Sequence, residues 1–222
     1  MLDKLVKNSI YLSLAVQILT TFISLDGFSI KIPPKDNILK DILGIEAFVQ
    51  FVEAFFYIWV ILALHDTKLM TPRRYLDWMI TTPIMLFTTI MFMKYNENKN
   101  KPFTVIEFIK THKQDVIKLF IFNGLMLLFG YLAETNVIPK HIGIPIGFFF
   151  FFQSFRVIYK YAEKTELGKK LFKFLTIVWA LYGVAAMLPM KQKNVCYNML
   201  DIVSKNFYGL YIYYQIKAIR IQ

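Results

Sequence analysis

The sequence holds one cysteine, Cys196, which excludes an intrachain disulfide. Its three histidines, His65, His112 and His141, are scattered through predicted loops and lack the spacing of a zinc or haem site. No Gly/Ser-rich linker, low-complexity tract or internal repeat divides the 222 residues, so the chain reads as one domain, 1–222. No cleavable leader is expected, because the first apolar run, Ile10 to Leu25, lacks a small-residue cleavage site and reads as a membrane span. Acidic residues are few, 15 against 26 lysines and arginines, for a formal net charge of +11. In a soluble protein that excess would suggest nucleic acid. Here the basic residues fall between long apolar runs. The expected partner is therefore the lipid bilayer, at an anionic face, and not nucleic acid. Nor is a soluble catalytic domain attached, so the chain is not expected to be an enzyme.

What is abundant is apolar and aromatic. Hydrophobic residues make up 56% of the chain and aromatics 17%, with 22 Phe and 13 Tyr. A helical span needs about 20 mostly apolar residues. Seven such segments are predicted, at about 4–25, 39–64, 72–94, 116–134, 139–162, 167–188 and 194–217, giving an all-α bundle of seven transmembrane helices. The first–second, third–fourth and fifth–sixth connections and the C-terminal end carry most of the lysines and arginines. The positive-inside rule then predicts an extracellular N-terminus and a cytoplasmic C-terminus. Between the third and fourth spans, Pro102 to His112 (PFTVIEFIKTH) alternates apolar and charged residues at helical spacing. The pattern predicts a short amphipathic helix on the cytoplasmic surface, with a disordered loop as the alternative.

Charges inside membrane spans are costly and mark function. The candidates are Glu46 and Glu53 in the second span, Asp77 in the third, and Asp201 and Lys205 in the seventh, with Arg74 a turn outside Asp77. Asp201 and Lys205 are four residues apart and share a helical face. A lysine in a dry, aromatic site suits Schiff-base chemistry with an aldehyde. The same residues also admit a structural Lys–Asp pair between helices.

In the third span, Arg74-Tyr75-Leu76-Asp77-Trp78-Met79-Ile80-Thr81-Thr82-Pro83 closely resembles the third helix of microbial rhodopsins. Leu200-Asp201-Ile202-Val203-Ser204-Lys205 resembles that family's retinal-lysine signature, and Trp179-Ala180-Leu181-Tyr182 its sixth-helix pocket pair. These motifs fall in order, in the right spans. The resemblance implies all-trans retinal as cofactor, bound to Lys205 as a protonated Schiff base. It implies Asp77 as primary counterion and proton acceptor, Asp201 as second counterion, and Arg74 closing the cluster on the extracellular side. Trp78 and Trp179 would sandwich the polyene with Tyr182 alongside, and Thr81 would hydrogen-bond Asp77. Asn123-Gly124 stands where the family usually has Asp-Gly, so Thr82 and Asn123 are expected to pair, with Met126 and Gly130 near the ring. For any one of these aromatics taken alone, ordinary helix packing is the competing reading.

Departures from the pump pattern are also visible. Thr88 stands where outward proton pumps keep a carboxylate donor, and Thr89 beside it is no acid. The connection Pro189 to Asn194 has no glutamate for proton release, and Gly183 follows Tyr182 where many relatives have proline. Meanwhile Glu46, Gln50, Glu53 and Tyr57 recur at spacings of four, three and four, a polar stripe along one face of the second span. Such a stripe suits a cation path. Ser13, Glu53 and Asn206 resemble in type and depth the serine, glutamate and asparagine that gate channelrhodopsins, with Glu46 further along the path. The competing reading of the stripe is interhelical hydrogen bonding or a subunit contact in a homo-oligomer.

The short chain, the reduced connection His65 to Met70 and the lysine-rich third–fourth connection resemble the group 1 viral rhodopsins of algal giant viruses, of the Organic Lake phycodnavirus kind. That resemblance implies a light-gated channel for monovalent cations and protons in a host-cell membrane. A weak outward proton pump and a sensory photoreceptor are the alternatives. The five-phenylalanine run Phe148 to Phe152 faces either the retinal ring or lipid.

Overall fold

The computed structural model describes residues 2–62 and 70–221, and they are helical throughout apart from short connections. The expected last residues of the second span, 63 and 64, and the short connection from His65 lie outside the described residues. α1 (Leu2–Ser29) leads through a 3-10 turn (Pro34–Asp36) into α2 (Ile38–Leu62). α3 (Met70–Glu97), the short α4 (Val105–Thr111), α5 (Lys113–Glu134), α6 (Lys140–Ala162) and α7 (Glu166–Ala185) follow. The seventh span is α8 (Met190–Asp201), a π-helical turn (Ile202–Asn206) and α9 (Phe207–Ala218) run together. The spans pack in ring order, with α1 closing against α8 and α9, while α3 also touches α6, α7 and α8.

The helices begin and end within a few residues of their expected limits. The seventh starts at Met190, because Pro189 supplies the preset φ that opens a helix and Lys191 and Lys193 need not break it. Among the described residues, five helices are long and apolar enough to cross a bilayer, from α1 to α3 and then α5 and α6. The other two spans fall short of that mark through the lysines at the start of α7 and the division of the seventh span, at its π-helical turn, into two 12-residue helices. α7 has three lysines in its first two turns, and the seventh span carries Lys191, Lys193, Asp201 and Lys205.

The bundle is inside-out relative to a soluble protein. Phe22, Phe51, Phe55, Met79, Phe152 and Ile177 are exposed on its flanks, whereas Ser13, Gln17, Glu46, Gln50, Glu53, Arg74 and Asp201 are fully buried. Lipid tails are as apolar as leucine, so packing and interhelical hydrogen bonds hold such a bundle together. At one end Met85, Leu86, Ile90 and Met91 of α3 fill the centre against Ile42, Leu43, Ile158 and Ile212.

α4 forms within the 102–112 stretch expected to be helical, in place of the disordered alternative. Its start is set by Thr104, whose hydroxyl accepts from the Glu107 N–H at 3.2 Å while the Glu107 carboxylate accepts from the Thr104 N–H at 2.8 Å. These bonds hold the Glu107 carboxyl below the usual carboxylate range. Phe108 is inserted into the bundle, against Phe87, Phe103, His112 and Tyr161, so the helix is bolted to the protein. Ile106 and Ile109 remain outward.

Candidate functional site

Lys205 sits in the π-helical turn, where the wider winding carries its side chain into the centre of the bundle. Its Nζ lies 2.8 Å from Glu53 Oε1, 2.9 Å from Asp77 Oδ2 and 3.7 Å from Asp201 Oδ1. α2, α3 and α8 thus each present one carboxylate to one amine. Arg74, a turn before Asp77 on α3, reaches Asp201 Oδ2 at 2.8 Å. Tyr57 and Tyr182 donate to the two Asp201 oxygens, each at 2.7 Å, and Tyr182 also meets Ser204 at 2.9 Å. The Arg74 guanidinium donates to Asn194 and Asn198 and lies over the rings of Phe56, Tyr57 and Tyr197. Burying ions this deeply is tolerable only with pairing and hydrogen bonding of this density. Three carboxylates against two cations leave one negative charge in surplus, which a single proton on Glu53 or Asp77 removes.

Beside the amine lies a partly open cavity walled almost entirely by apolar groups. Lys205 and Ser204 end it on one helix; Trp78, Thr82, Met126, Gly130, Trp179 and Tyr182 line it. Trp78 stands perpendicular to Tyr182 and Tyr197, with ring centres 5.3 and 4.9 Å away. Gly130 is required by the close approach of Tyr75, whose hydroxyl would lie 2.9 Å from a Cβ there. An amine at the end of a long, aromatic cavity, held by acids, is the donor set a polyene aldehyde needs.

The other expected residues are placed as follows. Asn123 Nδ2 donates to Thr82 Oγ1 at 2.8 Å, so the two pair across α3 and α5, with Asn123 one layer behind the wall. Thr81 does not bond the Asp77 carboxylate. Its hydroxyl donates to the Asp77 main-chain carbonyl at 3.0 Å, the usual i−4 back-bond of threonine in a helix. Ser13, Glu53 and Asn206 lie in one interface but bond elsewhere. Ser13 donates to the Asn198 carbonyl at 2.9 Å, Glu53 takes Lys205, and Asn206 donates to Gln17 at 2.8 Å and Thr20 at 2.6 Å. Glu46 accepts a hydrogen bond from Thr88.

Several neighbours escaped sequence reasoning. Ser9, Ser13, Gln17, Thr20 and Ser24 form a fully buried stripe on α1 at spacings of four, four, three and four. That spacing is present in the sequence and is the signal that could have found them. The stripe bonds Gln50 of α2 and Asn198 and Asn206 of the seventh span, Asn198 in turn accepts from Tyr57 of α2, and Glu53 joins the seventh span through Lys205, making a polar seam. Gly209 of α9 keeps the seam closed at Gln50, where a Cβ would collide with the amide. Within the seam Gln17 Nε2, Gln50 Nε2, Glu53 Oε2, Asn206 Oδ1 and Glu46 Oε2 are buried without a hydrogen-bond partner. Apart from the seam, Lys193 and Glu134 form a buried pair at 2.5 Å that joins α8 to the end of α5.

The comparisons with known proteins agree with this geometry. The profile of the family described as bacteriorhodopsin-like protein matches residues 8–219. The viral rhodopsin OLPVRII is 31% identical, covering 98% of this chain and 100% of its own, with a TM-score of 0.83. The blue light-absorbing proteorhodopsin from Med12 is 20% identical over 96% of this chain and 97% of its own, TM-score 0.73. Xanthorhodopsin, a light-driven ion pump with dual chromophore, is 19% identical over 98% and 94%, TM-score 0.76. These last two speak for the fold alone. No curated protein matches the chain by sequence. The chain belongs to the bacteriorhodopsin-like family, the retinal-binding microbial rhodopsins of the membrane, and is similar to a viral member of it.

Proposed function

We propose that the protein is a light-gated cation channel carrying all-trans retinal as a Schiff base on Lys205. The observation that carries the channel reading is the polar seam between α1, α2 and the seventh span, with its unpartnered amide and carboxylate atoms. In a membrane such atoms are stabilised by water and cations, and they replace part of an ion's hydration shell. Retinal, when bound, supplies light absorption and the photoisomerisation that moves the amine end. The rest is done by side chains. Asp77 and Asp201 keep the amine nitrogen cationic, and Asp77, at 2.9 Å, is placed to take its proton. Arg74 and the two tyrosines keep Asp201 ionised. Glu53 binds the same nitrogen from the seam side, so loss of that proton would free a carboxylate in the seam and admit cations past Ser13 and Asn206. The excess of basic residues between spans supports an extracellular N-terminus, and the viral relative supports a host-cell membrane. Whole-cell recording under light tests this reading. The photocurrent should reverse near the equilibrium potential of the permeant cation and follow it as sodium, potassium and pH are varied.

One observation favours a second reading, a weak outward proton pump. The Glu46 carboxyl reaches Thr88, the position where pumps keep a donor acid, from the neighbouring helix. A proton donor for the amine would then exist after all. A pump current persists at zero voltage under symmetrical solutions and never reverses, so the same recording separates the two.

A further inference from the structure

The geometry points to Phe148, keyed into the gap left by Gly183, as the stop that sets the length of the cavity and hence the size of ligand end it accepts. This rests on the retinal reading, since a ligand tied to Lys205 extends away from α8 toward α6 and α7. On α7, Trp179, Tyr182 and Gly183 face the cavity at helical spacing, followed by Ala186 just past its end. On α6, Gly147, Phe148 and Phe151 do the same. At Gly183 a Cβ would lie 2.6 Å from Phe148 Cε2 and 3.2 Å from Cε1, so the ring occupies the volume that any other residue there would need.

Phe148 is backed by its own helix. Phe151 meets it edge-on at 5.9 Å, and Phe152 lies at 6.4 Å. Phe151 in turn packs on Phe155, which reaches Trp179. A methyl added at 183 therefore meets a ring that is braced behind, and the free volume lies on the cavity side. The absence of a side chain on α7 and the bulk of one on α6 are a matched pair: the first admits the ring, and the ring closes the distal end. The replacement of proline by glycine after Tyr182 thus has a steric consequence as well as its effect on helix stiffness. Fixed packing at a site's end discriminates ligand size through overlap.

The experiment compares the full-length protein with Gly183→Ala, Phe148→Ala and the double variant. Each is purified without chromophore, then mixed with all-trans retinal or with an analogue bearing a larger bicyclic ring. The readouts are the rate of growth and the position of the visible band. Gly124→Ala, where an added Cβ has nothing within 4 Å, controls for an extra methyl in the bundle. Gly183→Ala is expected to take up retinal about tenfold more slowly, equivalent to about 1.4 kcal/mol in barrier, or to give a displaced band. Phe148→Ala should accept the bulky analogue that the parent refuses, and the double variant should recover retinal uptake even if Gly183→Ala alone folds poorly. Uptake and band unchanged in Gly183→Ala, or refusal of the analogue by Phe148→Ala, overturns the assignment. A parent protein that stays colourless with retinal removes the chromophore reading itself and this inference with it.

Discussion

On one side of the bundle α1, α2 and the seventh span meet through hydroxyls, amides and carboxylates; on the other, α3, α5, α6 and α7 enclose a cavity of aromatic rings and methionine. Both regions are buried, so burial alone does not separate them. What separates them is composition. The cavity has an apolar wall, with Asp77 Oδ1, Asn123 Oδ1 and Ser154 Oγ unpartnered on its helices, whereas the seam strands five polar atoms along one interface. A buried polar group without a partner costs about 1–3 kcal/mol, so a seam kept for packing alone would be a poor solution. Lys205 is where the two regions touch, with Glu53 on the seam side and Asp77 on the cavity side of one nitrogen.

The sharpest break in that comparison is at the shared nitrogen. Lys205→Ala should abolish the visible band of the retinal-reconstituted protein and all photocurrent together, checked by absorption spectroscopy and patch clamp. Survival of either signal would separate the cavity from the seam. Next in size is Arg74→Gln. It strips a fully buried ion from Asp201 and should lower stability by about 3–5 kcal/mol, read as a fall in the thermal midpoint. Tyr57 and Tyr182 still donate to Asp201 in that variant, so a loss at the low end of the range indicates that the tyrosines carry more of the charge.

Glu53→Gln separates the two sides more finely. It removes the surplus negative charge yet keeps a hydrogen-bonding side chain beside Lys205. The visible band should survive and move, because one acid beside the nitrogen is gone. Photocurrent should fall about tenfold or change its cation selectivity, a difference of about 1.4 kcal/mol in passage. A band that moves with an unaltered current assigns Glu53 to the cavity alone.

The cavity side was legible in the sequence because its signals are local. Arg74, Asp77 and Trp78 lie within one stretch of α3, and Asp201 and Lys205 within another, so spacing on a helix already brings each group to one face. The Thr82–Asn123 pair was legible through the family's register. The seam was not, because its partners are far apart in sequence: Asn206 with Gln17 and Thr20, Asn198 with Ser9, and above all Glu53 with Lys205. A stripe announces that a face is polar and says nothing about which helix it meets. The π-helical turn at Lys205 has no sequence signature either; a change of winding by one residue rotates the amine without altering any spacing rule. Phe108 shows a third limit. Its apolar period on α4 fits lipid and protein equally well, and only the fold selects protein.

A smaller effect belongs to α4, outside both regions. Thr104→Ala removes the cap on Glu107 and should cost about 1 kcal/mol, confined to that helix. The same cap gives a pH dependence. Because the folded-state Glu107 pKa is depressed, the stabilisation is present above the ordinary glutamate value and is lost as pH falls through the lower folded value. The protection of the α4 amides against hydrogen exchange, taken relative to the intrinsic rate at each pH, should fall in acid and in Thr104→Ala, while the visible band stays in place.

The smallest expected effect comes from an asparagine on the cavity side, set against one in the seam. Asn123 makes a single side-chain bond, of 2.8 Å to Thr82, and Thr82 itself still donates to the Trp78 carbonyl at 2.7 Å when Asn123 is gone. Asn123→Ala therefore orphans nothing and should cost about 0.6 kcal/mol, the usual worth of an interhelical hydrogen bond in a membrane. Asn198, in contrast, bonds Arg74 and Tyr57 with its carbonyl oxygen and Ser9 with its amide. Asn198→Ala leaves a buried guanidinium and the Tyr57 hydroxyl short of an acceptor, although Ser9 still donates to the Val6 carbonyl at 2.8 Å, and its cost should be several times larger. Thermal melts of the two variants measure the contrast directly. Equal losses would mean that the seam's hydrogen bonds are as expendable as the cavity's, and the case for water and ions within it would fail.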